Sequence, residues 1–324
     1  MIRHAVRLLL FAPCLALAQP SAQSPAEPLV WLNRMAEAAQ TLDYSGTFVF
    51  QSGTRSETSR VAHAFEGGRE IERLEVLDGT PREIVRENDE VRCYLPDVKR
   101  VLVEKRVRGR SFPALVASGA QALAAHYAVR TGGVERVAGH EAQLVVLDAK
   151  DAWRYSHRLW AEVRSGLILK AQILDDRQRL VEQFTFTQLA IGGAVDRSEL
   201  QSRQQALAGE WQTEDLSIAG GAEVASGWRL RDGVPGFAKT HEMRRLLRKD
   251  GVPVTHLVFS DGLAAVSVFI APPDAESSRK PWSSAQGAIN VHTRMLAGHV
   301  VTVLGEVPPA TAMKIANGIE YRKP

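Results

Sequence analysis

Between Pro28 and Leu42 the apolar residues Leu29, Leu32, Met35, Ala36, Ala39 and Leu42 recur every three or four positions. That spacing lines one face of an α-helix, and Pro28 suits its first turn. From Tyr44 the period changes to two, through YSGTFVF, ETSRVAHAF and REIERLEVL. Further alternating runs follow: VRCYL, KRVLVEK, EAQLVVLDA, YSHRLWAEV, LILKAQILD and RLVEQFTFTQL. Turn signals separate them at Asp78-Gly79, Asn88-Asp89, Pro96-Asp97, Gly132-Gly133, Ser165-Gly166, Asp175-Asp176 and Gly192-Gly193. Regular short strands with such punctuation predict a large antiparallel sheet, open or partly closed. FPALVASGAQALAAHY, residues 112–127, is the one helical interruption.

Periodicity lapses between Leu200 and Trp228, where Gln, Ala, Ser and Gly accumulate, and a linker is expected over 201–227. Beyond it FAKTHEMRRLLRKD, VPVTHLVFSD, AAVSVFIAP, GAINVHTRML and HVVTVLGEV read as five strands. PPATAMKIANGIEY reads as a terminal helix, with Thr311 as its expected cap. The pattern predicts a mainly β protein: a first domain over 27–200 and an α+β second domain over 228–322, an antiparallel sheet with one helix.

The first eighteen residues stand apart. MIRHAVRLLLFAPCLALA has a basic start, an apolar run and a small-x-small close, the pattern of a cleaved secretory signal. Its apolar run is well short of the roughly 20 residues that span a bilayer. Removing Arg3 and Arg7 with it lowers the formal net charge from +3 to about +1. Such balance argues against nucleic acid as a partner. One cysteine, Cys93, remains, so no disulfide framework forms within the chain and a bacterial periplasm is the expected compartment. Cys93 sits in a strand pattern and reads as a packed thiol.

Candidate chemistry centres on VFSDGLAAVSVFI, residues 258–270, with His256 just upstream. A hydrolase elbow would read G-x-S-x-G. Here Ser260 is followed by Asp261-Gly262 between two strand patterns, a hairpin signal in which both residues suit positive φ. No H-E-x-x-H, C-x-x-C, G-x-G-x-x-G or Walker pattern occurs. No catalytic residue, metal ligand or cofactor is therefore assigned, and the expectation is a binding protein.

Two features suit binding. The first sheet carries Phe48, Phe50, Trp160, Phe184 and Phe186. Ordinary core is the bland reading for most of them, but with little helix to cover so many strands, part of a concave face is expected to stay open as an apolar cleft. Cations cluster at Lys99, Arg100, Lys105, Arg106, Arg108 and Arg110, and again at Arg244 and Arg245. A solvated face is the bland reading of these clusters; a docking surface for an acidic segment or phosphorylated lipid is the sharper one.

WLNRMAEAAQTLDYSGTFVF, RLEVLDGTPREIVRENDEVRCYLPDVKRVLVEKR and RVAGHEAQLVVLDAKDAWRYSHRLWAEVRSGLILK resemble the MucB/RseB family of periplasmic sigma-E regulators. VFSDGLAAVSVFI and VTVLGEVPPATAMKIANGIEY resemble its second domain. The resemblance implies a LolA/LolB-like unclosed β-barrel with helices in its concavity, followed by a smaller domain. It implies binding to the periplasmic part of a MucA/RseA-like anti-sigma factor in a sigma-E/AlgU type pathway, with shielding from regulated proteolysis. It also implies release by lipopolysaccharide or another acylated ligand. A homo-oligomer is compatible with the sequence. The alternative is a periplasmic carrier or chaperone for lipoproteins or lipids that uses the apolar cleft.

Overall fold

The computed structural model describes residues 27–105, 120–193, 195–205, 207–216, 226–246, 251–273 and 281–322. The leader expected at 1–18, and half of the basic run (Arg106, Arg108 and Arg110), lie outside the described residues.

Helix α1 (Glu27–Thr41) follows the expected stripe, with Leu32, Met35 and Ala39 wholly buried. The alternating runs then fold as β1 (Tyr44–Ser52), β2 (Arg55–Glu66), β3 (Arg69–Val76), β4 (Glu83–Glu87), β5 (Glu90–Leu95) and β6 (Arg100–Lys105). After α2 (Ala120–His126) come β7 (Tyr127–Val137), β8 (His140–Ala149), β9 (Ser156–Glu162), β10 (Ile168–Leu174) and β11 (Leu180–Ile191). A short helix α3 (Arg197–Leu200) leads to β12 (Gln212–Asp215). These strands make one twelve-stranded sheet in the order β12-β6-β5-β4-β3-β2-β1-β11-β10-β9-β8-β7.

The two end strands, β7 and β12, do not pair with each other, so the sheet is unclosed. It nevertheless curls. Helix α1 packs against both β2 and β7, which lie far apart in the strand order, and only a curved sheet can present both to one helix. Leu32, Met35 and Ala38 of α1 and Leu123 of α2 fill the interior against Phe48, Leu159, Leu167 and Phe186. Each large side chain so buried stabilises by roughly 1.5–3 kcal/mol.

Two expectations need correction. Gly132-Gly133 is not a turn: it lies inside β7, where the pairing with β8 shifts register between Thr131 and Val134. A Cβ on Gly132 would strike the Leu144 side chain, so the glycine serves close approach. And residues 212–215, within the expected linker, are strand β12. They pair in parallel with β6 and extend the first sheet.

The second domain begins with β13 (Trp228–Leu230) and continues through β14 (Ala238–Arg245), β15 (Val254–Ser260), β16 (Ala265–Ala271), β17 (Trp282–Gln286), β18 (Ile289–Leu296) and β19 (His299–Glu306). Helix α4 (Pro309–Gly318) and β20 (Ile319–Tyr321) close it. The sheet has six strands, not five, in the order β14-β15-β16-β19-β18-β17. The sixth, β17, carries the polar run WSSAQ, all five residues exposed, and such a run has no apolar period to announce it. One face packs on α4, where Ala312 and Ile315 meet Val266, Val268, Val301 and Val303. β13 and β20 pair antiparallel and tie the two ends of the domain together.

Candidate functional site

The β15–β16 hairpin, expected from Asp261-Gly262, is present but wider than a two-residue turn: Ser260 pairs with Ala265 across residues 261–264. Gly262 has φ +97°, as expected, whereas Asp261 does not occupy the left-handed region. Its carboxylate does the work instead. Oδ1 accepts from Leu263 N at 2.9 Å and Ala264 N at 2.8 Å, closing the turn. Oδ2 faces the first domain and accepts from Arg154 Nη1 at 2.7 Å and the Tyr127 hydroxyl at 3.1 Å. The Arg154 and Asp261 side chains are both 0% exposed. Arg154 also donates to Asp151 Oδ1 and Pro235 O, and its guanidinium lies over the Tyr127 and Phe237 rings. A charge this deep persists only when paired and hydrogen-bonded, and here each of the three guanidinium nitrogens donates to an acceptor. Burial, then the Asp261 carboxylate, push the Tyr127 phenol well above the usual tyrosine range.

Ser260 is part of the same turn. Its hydroxyl donates to Ala264 O at 2.8 Å and accepts from Gly262 N at 3.0 Å. His256 bonds Ser267 on the neighbouring strand, not Ser260. Ser260 is structural.

A second hairpin tip docks at another part of the junction. Between β17 and β18 the backbone of Gly287, at φ +56°, lies so close to Ser52 and Glu182 that any Cβ there would collide with both. Glu182 of β11 is buried, and its Oε2 accepts from Ala288 N at 3.1 Å and Ser52 Oγ at 3.3 Å. Burial raises the Glu182 pKa above the ordinary glutamate value, with Glu306 adding to the rise. Beside it Tyr155, Ile173 and Ala288 form a small apolar cluster, and Asn290 donates to the Tyr155 hydroxyl at 3.0 Å. Between the two tips, Thr311 Oγ1 donates to Trp153 O at 2.7 Å. Thr311 therefore does not cap α4, whose N-cap is Pro308 without a side-chain bond; it fastens the helix to the first domain.

One residue of each basic region takes part in a contact between the domains: Arg245 of β14 forms an ion pair with Glu104 of β6, next to Lys105 in the chain. Lys99 and Arg244 are exposed. Arg100 pairs with Glu214 of β12 at 3.4 Å, and Arg245 also lies over the Phe269 ring.

The aromatic candidates lie elsewhere. Phe48, Phe184 and Phe186 pack edge-to-face with centroids 5.8–6.2 Å apart, in the interior beneath α1. Phe50 is half-buried at the margin of that core. Trp160 is buried in a separate cluster with Val137, Ala142 and Leu169, under Lys170, whose Nζ is 4.3 Å from the ring centroid. In this conformation the three phenylalanine rings pack on one another and Trp160 packs in its own cluster, so all four are core rather than an open cleft wall. Cys93 is a free, half-buried thiol, and burial raises its pKa, which suppresses the reactive thiolate.

The family models for the MucB/RseB N-terminal and C-terminal domains match residues 27–204 and 222–320, and together they cover most of the chain. The chain belongs to the MucB/RseB family. Among its relatives, the sigma factor AlgU regulatory protein MucB of Pseudomonas aeruginosa is 33% identical over 307 residues, 94% of this chain and 93% of that protein. The sigma-E factor regulatory protein RseB of Salmonella typhimurium is 28% identical over 305 residues, 93% of this chain and 94% of that one. The solved Pseudomonas aeruginosa MucA/MucB complex superposes with TM-score 0.72 at 30% identity, covering 92% of this chain and 100% of the matched chain. MucB in complex with MucA(peri) gives 0.70 at 30% identity, covering 91% and 99%. In this MucB/RseB member, sequence reasoning missed Arg154, Tyr127 and Glu182, and saw in Asp261 only a turn residue. Burial together with a partner more than a hundred positions away leaves no local sequence pattern.

Proposed function

We propose that this MucB/RseB member is a periplasmic negative regulator of a sigma-E/AlgU type envelope-stress pathway. It binds the periplasmic part of a membrane-anchored anti-sigma factor and shields that segment from regulated proteolysis. The observation that carries this reading is the likeness, across both domains, to MucB solved with MucA bound. The leader pattern at 1–18 supports export, and no helix among the described residues is long and apolar enough to cross a membrane. The ion pair between β6 and β14 supports a docking surface that draws cations from both domains. Lys99, Arg100, Arg244 and Arg245 contribute to it, as do Arg106, Arg108 and Arg110, which lie outside the described residues. An acylated, anionic lipid of the lipopolysaccharide type competes for the same cations and releases the partner. It shifts the population only through its differential affinity for the two states. The carrier alternative has less support, because the protein's own α1 covers Phe48, Phe184 and Phe186.

Arg244→Glu tests the surface. Binding of the anti-sigma periplasmic domain is followed by surface plasmon resonance at low and high salt. The substitution should slow association, with the difference shrinking at high salt, because exposed charges are screened within roughly 8 Å at physiological ionic strength. The unfolding midpoint should stay put, since Arg244 is exposed. Equal on-rates at both salts would remove Arg244 from the docking surface.

A further inference from the structure

The junction between the domains is chemically uneven. At the β15–β16 tip the buried carboxylate of Asp261 meets a buried guanidinium at 2.7 Å, so charge is balanced. At the β17–β18 tip the buried carboxylate of Glu182 has only neutral hydrogen-bond donors, the Ala288 amide and the Ser52 hydroxyl. The ionisable groups around Glu182 do not balance it. Glu306, at the end of β19, acts on it with like charge. Tyr155 contributes a neutral phenol held by Asn290. Ile173 and Ala288 are apolar, and Arg55, paired to Ser52 through the backbone, is exposed.

Isolating an ionised carboxylate from water without a cation is costly, and the cost vanishes when the group is protonated or when water reaches it. Separation of the β17–β18 tip from β1 and β11 would admit that water. Separation at the other tip would strand Arg154 without its main anion. The two contacts therefore differ in what it takes to open them.

We propose that the Glu182–Ala288 contact is a proton-operated catch between the two domains, closed by acid, and that the Arg154–Asp261 pair is the pivot that holds throughout. The sign follows from the chemistry. The closed contact favours the protonated carboxyl, so closure strengthens as pH falls and weakens as pH rises past the elevated titration range of Glu182. Opening separates the β17–β18 hairpin from the ends of β1 and β11 while the domains stay joined at Asp261. The catch gives the protein a pH-dependent relative disposition of its two domains, whatever it binds.

The direct readout is the protection of the Ala288 amide, measured by hydrogen exchange as a protection factor so that intrinsic rates cancel. Wild-type protein should show Ala288 more strongly protected at about pH 4 than at about pH 8, because the closed form holds the Glu182 proton more tightly than the open one. Glu182→Gln keeps the size of the side chain and an oxygen that accepts from Ala288 N, but cannot ionise. It should hold the high protection at both pH values. Gly287→Ala, whose Cβ collides with Ser52 and Glu182, should give low protection at both, which marks the open form. Leu263 N, bonded to Asp261 Oδ1, reports the pivot and should stay protected in all three proteins. The proposal fails if wild type and Glu182→Gln share one pH profile at Ala288. It fails equally if Leu263 loses protection together with Ala288, since the domains would then part as a whole.

Discussion

At Asp261 one carboxylate meets two demands: Oδ1 closes the β15–β16 turn and Oδ2 neutralises Arg154 across the domain junction. Asp261→Asn preserves the shape and removes the charge, leaving a buried guanidinium short of its main anion. Breaking such a pair costs about 3 kcal/mol, at the low end of the usual range because Asp151 and Pro235 still accept from Arg154. Ser260→Ala loses one hydroxyl and two short-range bonds within the turn, a cost of about 1 kcal/mol. Denaturant unfolding of the two variants should separate them clearly, and equal losses would mean the Arg154 pair contributes nothing beyond the turn. The turn itself was legible, because Asp-Gly between strand patterns has a local conformational reason. The ion pair was not. Arg154 sits between Trp153 and Tyr155 in the loop after β8, and nothing in that local sequence names a partner 107 positions away.

Elements were legible where burial imposes a period. The α1 stripe, the alternation through the middle of β11 and the apolar face of α4 can all be read from spacing alone. Strands β4, β7, β12, β13, β17 and β20 were not anticipated, and β20 takes the last three residues of the expected terminal helix. β7 is interrupted by the glycine pair at its bulge, and β12 and β17 are short and polar, so neither β propensity nor alternation distinguishes them from loop. Alternation also tells which residues share a face without telling what covers it. That is why spacing alone leaves both cleft wall and core open for Phe48, Phe184 and Phe186, and only the docking of α1 decides for core. Leu32→Ala tests that element. Leu32 is wholly buried, so truncation should cost about 2–5 kcal/mol and loosen α1 over the aromatic cluster. Denaturant unfolding gives the cost, and binding of an apolar fluorescent dye should rise together with it. A loss below about 1 kcal/mol, with no dye binding, would mean that α1 is not the cover of the core.

For the whole molecule, the junction matters more than either sheet. The two hairpin tips, the Thr311–Trp153 bond and the Glu104–Arg245 pair fix one domain on the other. Regulation by stoichiometric binding needs no catalytic group. What it needs is a surface that exists only when the domains are correctly disposed, and a way to alter that disposition. The measurement that bears most directly on this account is a calorimetric titration of the purified protein with the periplasmic domain of the membrane-anchored anti-sigma factor from the same organism. The account predicts a saturable one-to-one complex that Arg244→Glu weakens and an anionic acylated lipid displaces. The absence of any saturable complex with both components at about 100 µM, a concentration that detects even affinities weaker than about −6 kcal/mol, would contradict it.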